Sequence, residues 1–525
     1  MLNKAQIKQI LHQRFENDIH VKLCDLPMPS CLKDVFKGAL RIKEAIEKNQ
    51  KVAIVGDYDV DGVISCVIFS EFFDDIGFDY IVKIPNRFKD GYGLNEEIIN
   101  ELGSIDLIIT VDNGIAAVEA AKMCKEKGID LIITDHHMPS AILPDAYAII
   151  NPKQQDCDFP NVEICGAQVA WYLIGAIKEV CKINYDMCKF IELLAIAIIA
   201  DMMELRDLNR ALVRKGIECI NSSNRVAFKA IRQYFGKDKF EIDNISFLIA
   251  PLINSAGRMD DAIISYKFLH SKNMDEVMDY LEQIVSYNNN RKDEERELFK
   301  QCLEQVDENN SVIIVNGCNW HEGVLGIVAS RLAKHFNKPA FVFSQCEDRA
   351  KASVRSVGQI DILEVIEKAK ELVLSYGGHK GAAGVMVHVD QFELFKNRLN
   401  EICAQIPKED FYSSDEVLGS IDPNEVDFEL LEILEFFEPF GHKNPRPYFK
   451  FNQLFVKNKK YIGKDEKHIK LILTYDNKTL EALFFNYDYE PNIGENISLI
   501  ASISKNNFRG LITPQLTIKE IINSI

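Results

Sequence analysis

Short apolar segments alternate with segments of helical spacing over the first third of the chain. The apolar segments are almost uninterrupted and rich in β-branched residues, as strands are when both faces of a parallel sheet are covered. The predicted strands are residues 51–57, 79–84, 106–112, 130–135 and 146–150. The predicted helices between them are residues 63–76, 95–102 and 115–127. This alternation predicts an α/β domain built on a parallel sheet.

The remainder of the chain shows three further patterns. Residues 163–270 are mostly helical, and the charged stretch 271–310, which lacks Gly and Pro, predicts a long helix that bridges two domains. The elements of a second α/β pattern are strands at 311–317 and 339–343, a helix at 324–336 and a glycine-rich stretch at 377–384. Beyond a proline-punctuated junction at 438–449, the pattern becomes that of strands.

These patterns predict a parallel-sheet α/β domain, a bridging helix, a second α/β domain and a small β domain. The predicted boundaries are 1–50 for an N-terminal helical or irregular segment, 51–270 for the first domain, 271–310 for the bridging helix, 311–408 for the second domain, 409–440 for a linker and 441–525 for the β domain. Because the chain begins and ends with little beyond these units, we expect no additional interaction domain.

Composition is that of an ordinary globular protein, with 47% apolar and 27% charged residues in a chain of 525. No apolar run approaches the roughly 18–20 residues that a membrane-spanning helix needs. The N-terminus is polar and lacks the apolar middle of a signal peptide. The 13 cysteines are scattered without a C-x-x-C pair, which argues against a zinc site or a disulfide framework. We therefore expect a cytoplasmic protein with reduced thiols.

The net charge of −18, taken alone, argues weakly against a nucleic-acid partner, because proteins that bind polyanions are usually basic. The charge is unevenly distributed, however. Residues 441–525 carry 13 Lys and Arg against 8 Asp and Glu, together with 11 Phe and Tyr. A basic, aromatic-rich β domain suits binding of single strands by stacking and electrostatics, although the same aromatics could equally form its core.

The strongest local signal for chemistry is GDYDVDG at residues 56–62, which places three aspartates at alternate positions directly after a strand. Converging carboxylate oxygens suit a hard divalent cation. An EF-hand is excluded, because the twelfth position counted from Asp57 is Ile68 rather than Glu. The alternative is a solvated turn whose aspartates cap the following helix.

Three further motifs place polar side chains at predicted strand or helix ends. TVDNG (residues 110–114) is weak by itself, since an Asx-turn accounts for it. TDHH (residues 134–137) sets two histidines side by side just past a buried strand, where one ring is available as a ligand. Asp201 ends the apolar run LLAIAIIAD, and an acid in such surroundings needs a partner that a metal would supply.

The ordered set GDYDVDG, VDNG, DHH and IIAD resembles the DHH phosphoesterase superfamily. Other segments narrow the resemblance to the RecJ-type single-strand-specific exonucleases, namely PLINSAGRM (251–259), WHEGVLGIVASRL (320–332), ASVRS (352–356), GGHKGAAG (377–384) and PFGHKNPRPYF (439–449). The similarity extends from about residue 56 to at least residue 449. It implies a DHH catalytic domain, a DHHA1-like second domain and an OB-fold in the tail.

The resemblance implies a phosphodiesterase centre that holds two divalent ions, Mn²⁺ or Mg²⁺. The residues in metal-ligand positions are Asp59, Asp61, Asp112 as the carboxylate that bridges both ions, His136 and Asp201, with Asp57 as an extra acid in a supporting role. His137 matches the catalytic histidine that faces the reacting phosphate, where it stabilises charge or protonates the leaving group. Asp135 is expected to orient the two histidines.

The resemblance also implies residues that bind substrate. Arg258, Ser353 and Arg355 match the family's 5′-phosphate pocket, in which guanidinium groups bind a terminal phosphate bidentately. Further implied substrate-binding residues are Asn254, Gly378, His379 and, as a backbone contact, Arg331. One departure lies at residues 441–445, which read Gly-His-Lys-Asn-Pro where the family usually has Gly-x-Gly-Asn-Pro, so the geometry of this turn is left open.

The implied activity is metal-dependent 5′-to-3′ hydrolysis of single-stranded DNA in repair and recombination. Implied partners are single-stranded DNA with a 5′ end, a single-stranded-DNA-binding protein and a helicase, without a membrane, and the chain is expected to be a monomer. One alternative is a DHH phosphodiesterase of oligoribonucleotides or cyclic dinucleotides, which usually lacks the bridging helix and the basic tail. The other is a non-catalytic DNA-binding scaffold of the same fold, which would have lost ligands.

Overall fold

Five parallel strands form the first sheet. They are β1 (Val52–Val55), β2 (Tyr80–Lys83), β3 (Leu107–Val111), β4 (Asp130–Thr134) and β5 (Ala148–Ile150). Their spatial order is β2-β1-β3-β4-β5. The computed structural model of the chain describes residues 1–412, 417–463, 466–487, 489–508 and 511–522. Every residue of β1 and β3 is buried, which explains their unbroken apolar pattern.

The first 50 residues do not form a unit of their own. They contain the helices α1 (Lys4–Gln13) and α2 (Val35–Glu47). The apolar side of α2 belongs to the core of the first domain, where this helix packs against β5. In contrast, Ile7 and Leu11 of α1 are buried in the same hydrophobic cluster as Leu430, near the C-terminus. The structure thus divides the predicted N-terminal segment between two domains.

Helices cover both faces of the first sheet. They are α3 (Val60–Ile76), α4 (Glu96–Leu102), α5 (Val118–Glu126), α6 (Gly166–Cys181), α7 (Ile191–Ala200), α8 (Asp207–Ser222), α9 (Val226–Phe235), α10 (Ile242–Asn244), α11 (Ala250–Met259) and α12 (Ile263–His270). A π-helical turn at Ile245–Ile249 connects α10 to α11. Helices α3 and α6 share one hydrophobic cluster with the sheet, and α4 and α5 share another on its opposite face. The predicted α/β architecture is confirmed.

The predicted bridging helix is α13 (Met274–Leu303), which is 30 residues long. Its N-terminal half buries Val277, Leu281 and Ile284 in the core of the first domain, and its C-terminal half buries Leu298 and Cys302 in the second. The charged pattern therefore belongs to the outward face of a helix whose apolar stripe is anchored at both ends.

The second domain is built on a mixed sheet in the order β6-β7-β8-β10-β9. Its elements are β6 (Ile313–Cys318), α14 (Glu322–Phe336), β7 (Ala340–Cys346), β8 (Arg349–Arg355), α15 (Ile362–Glu367), β9 (Ser375–His379), β10 (Ala382–His388) and α16 (Phe392–Ala404). The glycine-rich stretch is the hairpin between β9 and β10. Gly378 has φ 150°, and a Cβ there would lie 2.3 Å from the carbonyl oxygen of Ala382. No larger residue therefore fits at this position of the hairpin.

The C-terminal domain is a closed five-stranded barrel. Its elements are β11 (Val417–Ser420), α17 (Phe428–Phe436), β12 (Tyr448–Ile462), β13 (His468–Tyr475), β14 (Lys478–Phe485), β15 (Asn496–Phe508) and β16 (Leu511–Ile522). The strands follow the order β12-β13-β14-β16-β15, pairing of β12 with β15 closes the barrel, and β11 lies at the edge of β12. This arrangement agrees with the predicted OB-fold.

The barrel aromatics divide between the two roles left open by the sequence. Phe449 and Phe451 are buried in the barrel core, whereas Phe455, Tyr461 and Phe485 are between 39% and 48% exposed. The predicted linker includes residues 413–416, which lie outside the described residues, as do 464–465, 488, 509–510 and 523–525 of the predicted barrel.

The turn at residues 441–445 keeps a tight geometry without its second glycine. The backbone N–H groups of Gly441 and Asn444 donate to each other's carbonyl oxygens at 2.9 and 3.1 Å. Lys443 adopts φ 59°, so a lysine here takes the left-handed conformation for which the family usually has glycine.

Two further findings concern the cysteines and the apolar helices. All 13 cysteines lie in the described ranges, and each is a free thiol. In the ranges that the structure covers, we find no helix with both the length and the apolarity needed to cross a bilayer.

Candidate active site

Polar side chains from three neighbouring strands meet at the carboxyl edge of the first sheet. Asp57, Asp59 and Asp61 follow β1, Asp112 directly follows β3, and Asp135, His136 and His137 directly follow β4. Because these three strands are adjacent in the sheet, their ends deliver the side chains to one place. Asp201, at the C-terminal end of α7, joins them from outside the sheet.

The loop after β1 is held by the first turns of two helices. The Oδ1 of Asp59 accepts hydrogen bonds from the N–H groups of Asp61 (2.9 Å) and Gly62 (3.1 Å), so it does cap α3, as the alternative interpretation of this motif requires. The carboxylate of Asp61 accepts from the N–H groups of Gly166 (2.5 Å) and Ala167 (2.9 Å) at the start of α6. The motif is not solvated, however, since Asp57 and Asp61 are both buried.

The site contains three overlapping groups of side chains that could each hold a metal ion, and within each group the ligand atoms lie within 4.8 Å of one another. The first is Asp61, His136 and Asp201, and the second is Asp57, Asp59 and Asp112. The third takes Asp112 and His136 from these two and adds His137, whose Nδ1 already contacts Asp135. Asp112 also touches the first group, because its Oδ1 lies 3.2 Å from His136 Nε2. These positions are those expected of two ions that share one carboxylate.

The position of Asp57 bears on its expected role, which stays a prediction. The resemblance gave it a supporting role, but its carboxylate converges with those of Asp59 and Asp112 as fully as a ligand would. Its burial supports the same interpretation, since a buried carboxylate requires a positive partner.

Two buried oxygens in this cluster are without hydrogen-bond donors. Among the described residues, neither Asp112 Oδ1 nor Asp201 Oδ2 accepts a hydrogen bond, although His136 Nε2 lies 3.2 and 3.4 Å from them. Orphaned carboxylate oxygens that surround an imidazole nitrogen fit a divalent ion as the missing partner. Manganese or magnesium therefore suits the side chains that are present.

Gly166 is a residue that the sequence motifs did not identify. A Cβ at Gly166 would lie 2.4 Å from Asp112 Oδ1, so any side chain would displace the carboxylate. Asp112 itself has φ 61°, an uncommon conformation that turns its side chain back over the sheet edge. Nothing local in the sequence signals this requirement, because α6 and β3 meet only in the folded domain.

The pKa values of the site reflect several negative charges that lie close together in buried positions. Burial, followed by repulsion from neighbouring aspartates, raises the pKa of Asp112 well above its usual value and that of Asp61 to about 6. Burial, followed by the charge of His137, lowers the pKa of His136 to about 3, so this ring is neutral and its Nε2 lone pair is available. Divalent ions would remove the repulsion and keep the carboxylates ionised.

His137 differs from its neighbour in both contacts and charge. Its Nδ1 lies 2.7 Å from Asp135 Oδ1, and the other oxygen of Asp135 accepts from the N–H of Ile115 at 2.9 Å. Burial disfavours the charged ring, but the hydrogen bond to Asp135 and surrounding carboxylates outweigh it and raise the pKa of His137 to about 9. This pKa favours the protonated ring at neutral pH in the metal-free protein, and because Asp135 takes Nδ1, Nε2 is the nitrogen left to face a substrate.

A group of arginines lies beside the carboxylates. Arg258, on α11, has a guanidinium 3.3 Å from the carbonyl oxygen of Gly323. Burial, and then the positive charges of Arg87, Arg291 and Arg355, lower the pKa of Arg258 to about 10. Cations that repel one another inside a protein need an anion, and a phosphate suits guanidinium groups best.

Two of these arginines were not predicted from the sequence. Arg87 lies in the loop after β2, with its guanidinium 4.2 Å from the centre of the Tyr58 ring. Because Arg87 follows a strand of the same sheet as the aspartates, its place at this edge could have been predicted from the sequence. Arg291 belongs to the charged stretch of α13, which the sequence presents as a solvated face. The inward direction of its side chain could therefore not be predicted from the sequence.

The remaining predicted substrate residues occupy different surroundings. Ser353 lies two residues before Arg355 on β8 and shares its face, and Asn254 lies one helical turn before Arg258. His379 is exposed on the β9–β10 hairpin, next to Gly378. Arg331 already has partners on α13, since its guanidinium lies 3.0 Å from Glu295 and 4.0 Å from the centre of the Phe299 ring. Its predicted contact with the substrate backbone stays a prediction.

An apolar cavity of about 420 Å³ adjoins the arginines. The first domain contributes Met202, Phe247 and Pro251, the second contributes Ile327, and the junction before the barrel contributes His442. Asn254 and Arg258 line its polar side. A cavity of this size and chemistry is suited to a nucleotide base with its phosphate held at one end.

Comparison with protein families divides the chain in the same way. The N-terminal domain of the DHH family matches residues 51–198, the DHHA1 domain matches residues 309–405, and the RecJ OB domain matches residues 419–520.

Similar proteins share this organisation along most of the chain. The single-stranded-DNA-specific exonuclease RecJ of Bacillus subtilis (strain 168) is 33% identical over 516 residues, covering 96% of this chain and 65% of that protein. The protein of the same name from Escherichia coli (strain K12) is 29% identical, covering 93% of this chain and 90% of that protein. The chain thus spans about two thirds of the former and most of the latter.

The fold of the chain is also similar to those of solved structures. A crystal structure of RecJ with Mn²⁺ from Thermus thermophilus has a TM-score of 0.86 and 26% identity, covering 99% of this chain and 76% of that one. A crystal structure of exonuclease RecJ bound to manganese is 30% identical with a TM-score of 0.63, covering 72% of this chain and 96% of that one. With the ordered motifs, the two groups of metal-binding side chains and the three matched domains in one chain, the protein belongs to the RecJ family of the DHH phosphoesterases.

Proposed function

We propose that this chain is a metal-dependent exonuclease that hydrolyses single-stranded DNA from its 5′ end. The observation that carries the proposal is the position of two groups of potential metal ligands, linked by the contact of Asp112 with His136, directly beside a group of half-buried arginines. The first feature suits phosphodiester hydrolysis and the second suits recognition of a terminal phosphate.

Each part of the site has a task in this reaction. Two divalent ions, Mn²⁺ or Mg²⁺, would activate a water molecule and stabilise the attacking and leaving oxygens of the phosphate. Asp57, Asp59 and Asp112 would hold one ion, and Asp61, His136, Asp201 and Asp112 the other. These carboxylates lie on strand ends and helix starts, which are rigid, so the ligand geometry is fixed before substrate binds.

His137 would act on the phosphate without binding a metal. Asp135 fixes its ring and keeps it charged, so Nε2 holds a proton that can reach a phosphoryl or leaving oxygen. In hydrolysis from a 5′ end, the bond between phosphorus and the 3′ oxygen of the terminal nucleotide breaks, and that oxygen must take up a proton.

The arginine pocket would set the register of cleavage. Arg258 lies close enough to Asp59 for their charges to interact, so the pocket is next to the metal-binding groups rather than distant from them. A 5′-phosphate bound by Arg87, Arg258 and Arg355 would place the next phosphate of the strand at the metal centre. The enzyme would then release one nucleotide in each step.

The arrangement of domains favours a single strand. The cavity beside Arg258 is lined from the first domain, the second domain and the junction before the barrel, so a strand would pass between three parts of the protein. Exposed Phe455, Tyr461 and Phe485 on the barrel offer surfaces on which bases can stack. A paired duplex presents no free bases to such surfaces.

The alternatives left open by the sequence are less well supported. The described structure contains both the bridging helix and the barrel, which phosphodiesterases of short oligoribonucleotides or cyclic dinucleotides usually lack. A non-catalytic scaffold is disfavoured because the converging carboxylates and His136 are all present.

We propose that the protein serves DNA repair and recombination in the cytoplasm as a monomer. An enzyme that accepts only single strands requires a helicase to separate a duplex, and a single-stranded-DNA-binding protein to keep the strand extended. These partners are supported by the chemistry of the proposed substrate.

Strand selectivity provides the test of this function. With Mn²⁺, the protein is expected to degrade a 5′-phosphorylated single-stranded DNA to mononucleotides, while a blunt duplex of the same sequence remains intact over the same period. The measurement is gel electrophoresis of both substrates, with EDTA as the control. Equal degradation of both DNA forms, or a preference for an oligoribonucleotide of the same sequence, would contradict the proposal.

A further inference from the structure

Lys153 lies on a loop that no motif singled out. The loop follows β5, whose last residue Ile150 pairs with Thr134 at the end of β4. It therefore leaves the sheet at the same edge as His136 and His137, on the side away from β1.

Asn151 fixes this loop to the active site. Its side chain is buried, its Nδ2 donates to the carbonyl oxygen of His137 at 2.9 Å, and its Oδ1 accepts from the N–H of Lys153 at 2.8 Å. One amide thus sets the positions of both the catalytic histidine and the lysine backbone.

The ammonium of Lys153 is weakly satisfied for a mostly buried group. Its side chain is 15% exposed, and the nearest carboxylate, that of Glu163, lies 3.6 Å from Nζ, which is too long for a good hydrogen bond. Among the residues that the structure describes, Nζ makes no shorter polar contact. A cation of this kind has capacity for a further oxygen ligand.

Lys153 lies at the opposite end of the strand order from Arg87, because its loop follows β5 and that of Arg87 follows β2. The positive charge of Lys153 contributes to lowering the pKa values of His136 and Asp201 in the first domain and of His379 in the second. Arg87 and Arg258 act instead on Asp57 and Asp59, whereas Arg355 acts on His379 as Lys153 does. Cations therefore flank the metal-binding carboxylates at both ends.

This arrangement matches the path of a strand through the proposed exonuclease. With the terminal phosphate among the arginines and the scissile phosphate at the carboxylates, the strand would continue toward Lys153, away from Arg87. We propose that Lys153 binds the phosphodiester on the 3′ side of the scissile bond and so makes the enzyme favour substrates of three or more nucleotides over dinucleotides.

The inference rests on the proposed exonuclease function and deepens it. Substrates of different length distinguish a failure of the inference from a failure of the proposed function. The dinucleotide pTpT contains a 5′-phosphate and a scissile phosphate but no phosphodiester beyond it. The trinucleotide pTpTpT contains one. For Lys153→Met, kcat/KM for pTpTpT is expected to fall about tenfold, mainly through KM, as loss of one charged hydrogen bond would do. Hydrolysis of pTpT should stay within about twofold of wild type.

Two controls accompany this variant. Lys153→Arg keeps the charge and should restore most of the activity on pTpTpT. Lys33→Met removes a lysine that binds Asp156, on the far part of the same loop, through two contacts of 2.7 and 2.8 Å, and it should leave both substrates unaffected.

A neutral methylphosphonate at the linkage beyond the scissile bond tests the contact itself. With this trinucleotide, kcat/KM of the wild type should fall to the value that Lys153→Met shows on pTpTpT. The kcat/KM of the variant should fall no further. Equal losses on pTpT and pTpTpT, or no loss on either, would overturn the inference while leaving the exonuclease proposal intact. A wild-type protein that hydrolyses neither substrate would contradict both.

Discussion

Replacing Asp112 by asparagine is expected to lower kcat/KM for single-stranded DNA by about 10³-fold, since a metal centre contributes several kcal/mol to the transition state. Asp112 is the carboxylate proposed to bridge both ions, since it belongs to one group and contacts His136 of the other, and a neutral amide binds a divalent ion poorly. Asparagine tolerates the φ of 61° at this position and has nearly the same shape, so the backbone should not change.

The same substitution is expected to stabilise the metal-free protein at pH 8. The folded pKa of Asp112 is raised by burial and by the neighbouring aspartates, so the stability associated with its protonated form is lost as the pH rises through that pKa. Asparagine never acquires the buried charge. In EDTA at pH 8 the variant should therefore have a higher Tm than the wild type, and the difference should shrink as the pH is lowered.

Thermal unfolding with EDTA and with Mn²⁺, beside the hydrolysis assay, measures both effects. Mn²⁺ should raise the Tm of the wild type more than that of Asp112→Asn, because ligand binding stabilises the folded state in proportion to its affinity. The control is Asp145→Asn in the same domain, since the Asp145 side chain is 69% exposed and contacts only a surface lysine among the described residues. An Asp112→Asn variant that keeps its activity, or is less stable in EDTA, would show that Asp112 is not a shared ligand.

Replacing Arg355 by methionine is expected to remove the preference for a 5′-phosphorylated end. A bidentate contact between guanidinium and phosphate involves two charged hydrogen bonds, so kcat/KM for a phosphorylated strand should fall by about 10²-fold. Hydrolysis of the same strand with a 5′-hydroxyl should change much less. In the proposed binding mode, Arg355 would contact the terminal phosphate and not the phosphate at the metal centre.

The matched control for this experiment is Arg296→Met on α13. Its side chain is 76% exposed and pairs only with Asp293 in the described structure, so both substrates should be hydrolysed at the wild-type rate. If Arg355→Met slowed phosphorylated and unphosphorylated strands by the same factor, the arginine would belong to the catalytic centre rather than to end recognition.

The sequence predicted the parts of the molecule that depend on local pattern. Unbroken apolar strands required a sheet covered on both faces, and aspartates at the ends of β1 and β3 had to meet because the strands are adjacent. The motifs include every side chain in the groups that could hold metal ions, Asp57 among them.

The rest of the site depends on contacts between distant elements. Gly166 matters because α6 passes directly over Asp112, and Arg291 matters because one turn of a charged helix points inward. Helix α1 similarly packs into the barrel core through Ile7 and Leu11, across more than 400 residues. Helical periodicity shows that a face is apolar or charged, but it does not show what that face will meet.

The direction of degradation tests the central claim most directly. A single-stranded DNA labelled at its 5′ end, and the same strand labelled at its 3′ end, are digested with Mn²⁺ by the wild-type protein and by Asp112→Asn. We expect the 5′ label to appear at once as a mononucleotide, while the 3′ label stays on strands that shorten one nucleotide at a time, and we expect the variant to release neither. Early release of the 3′ label, cuts within the strand, or undiminished activity in the variant would contradict the account.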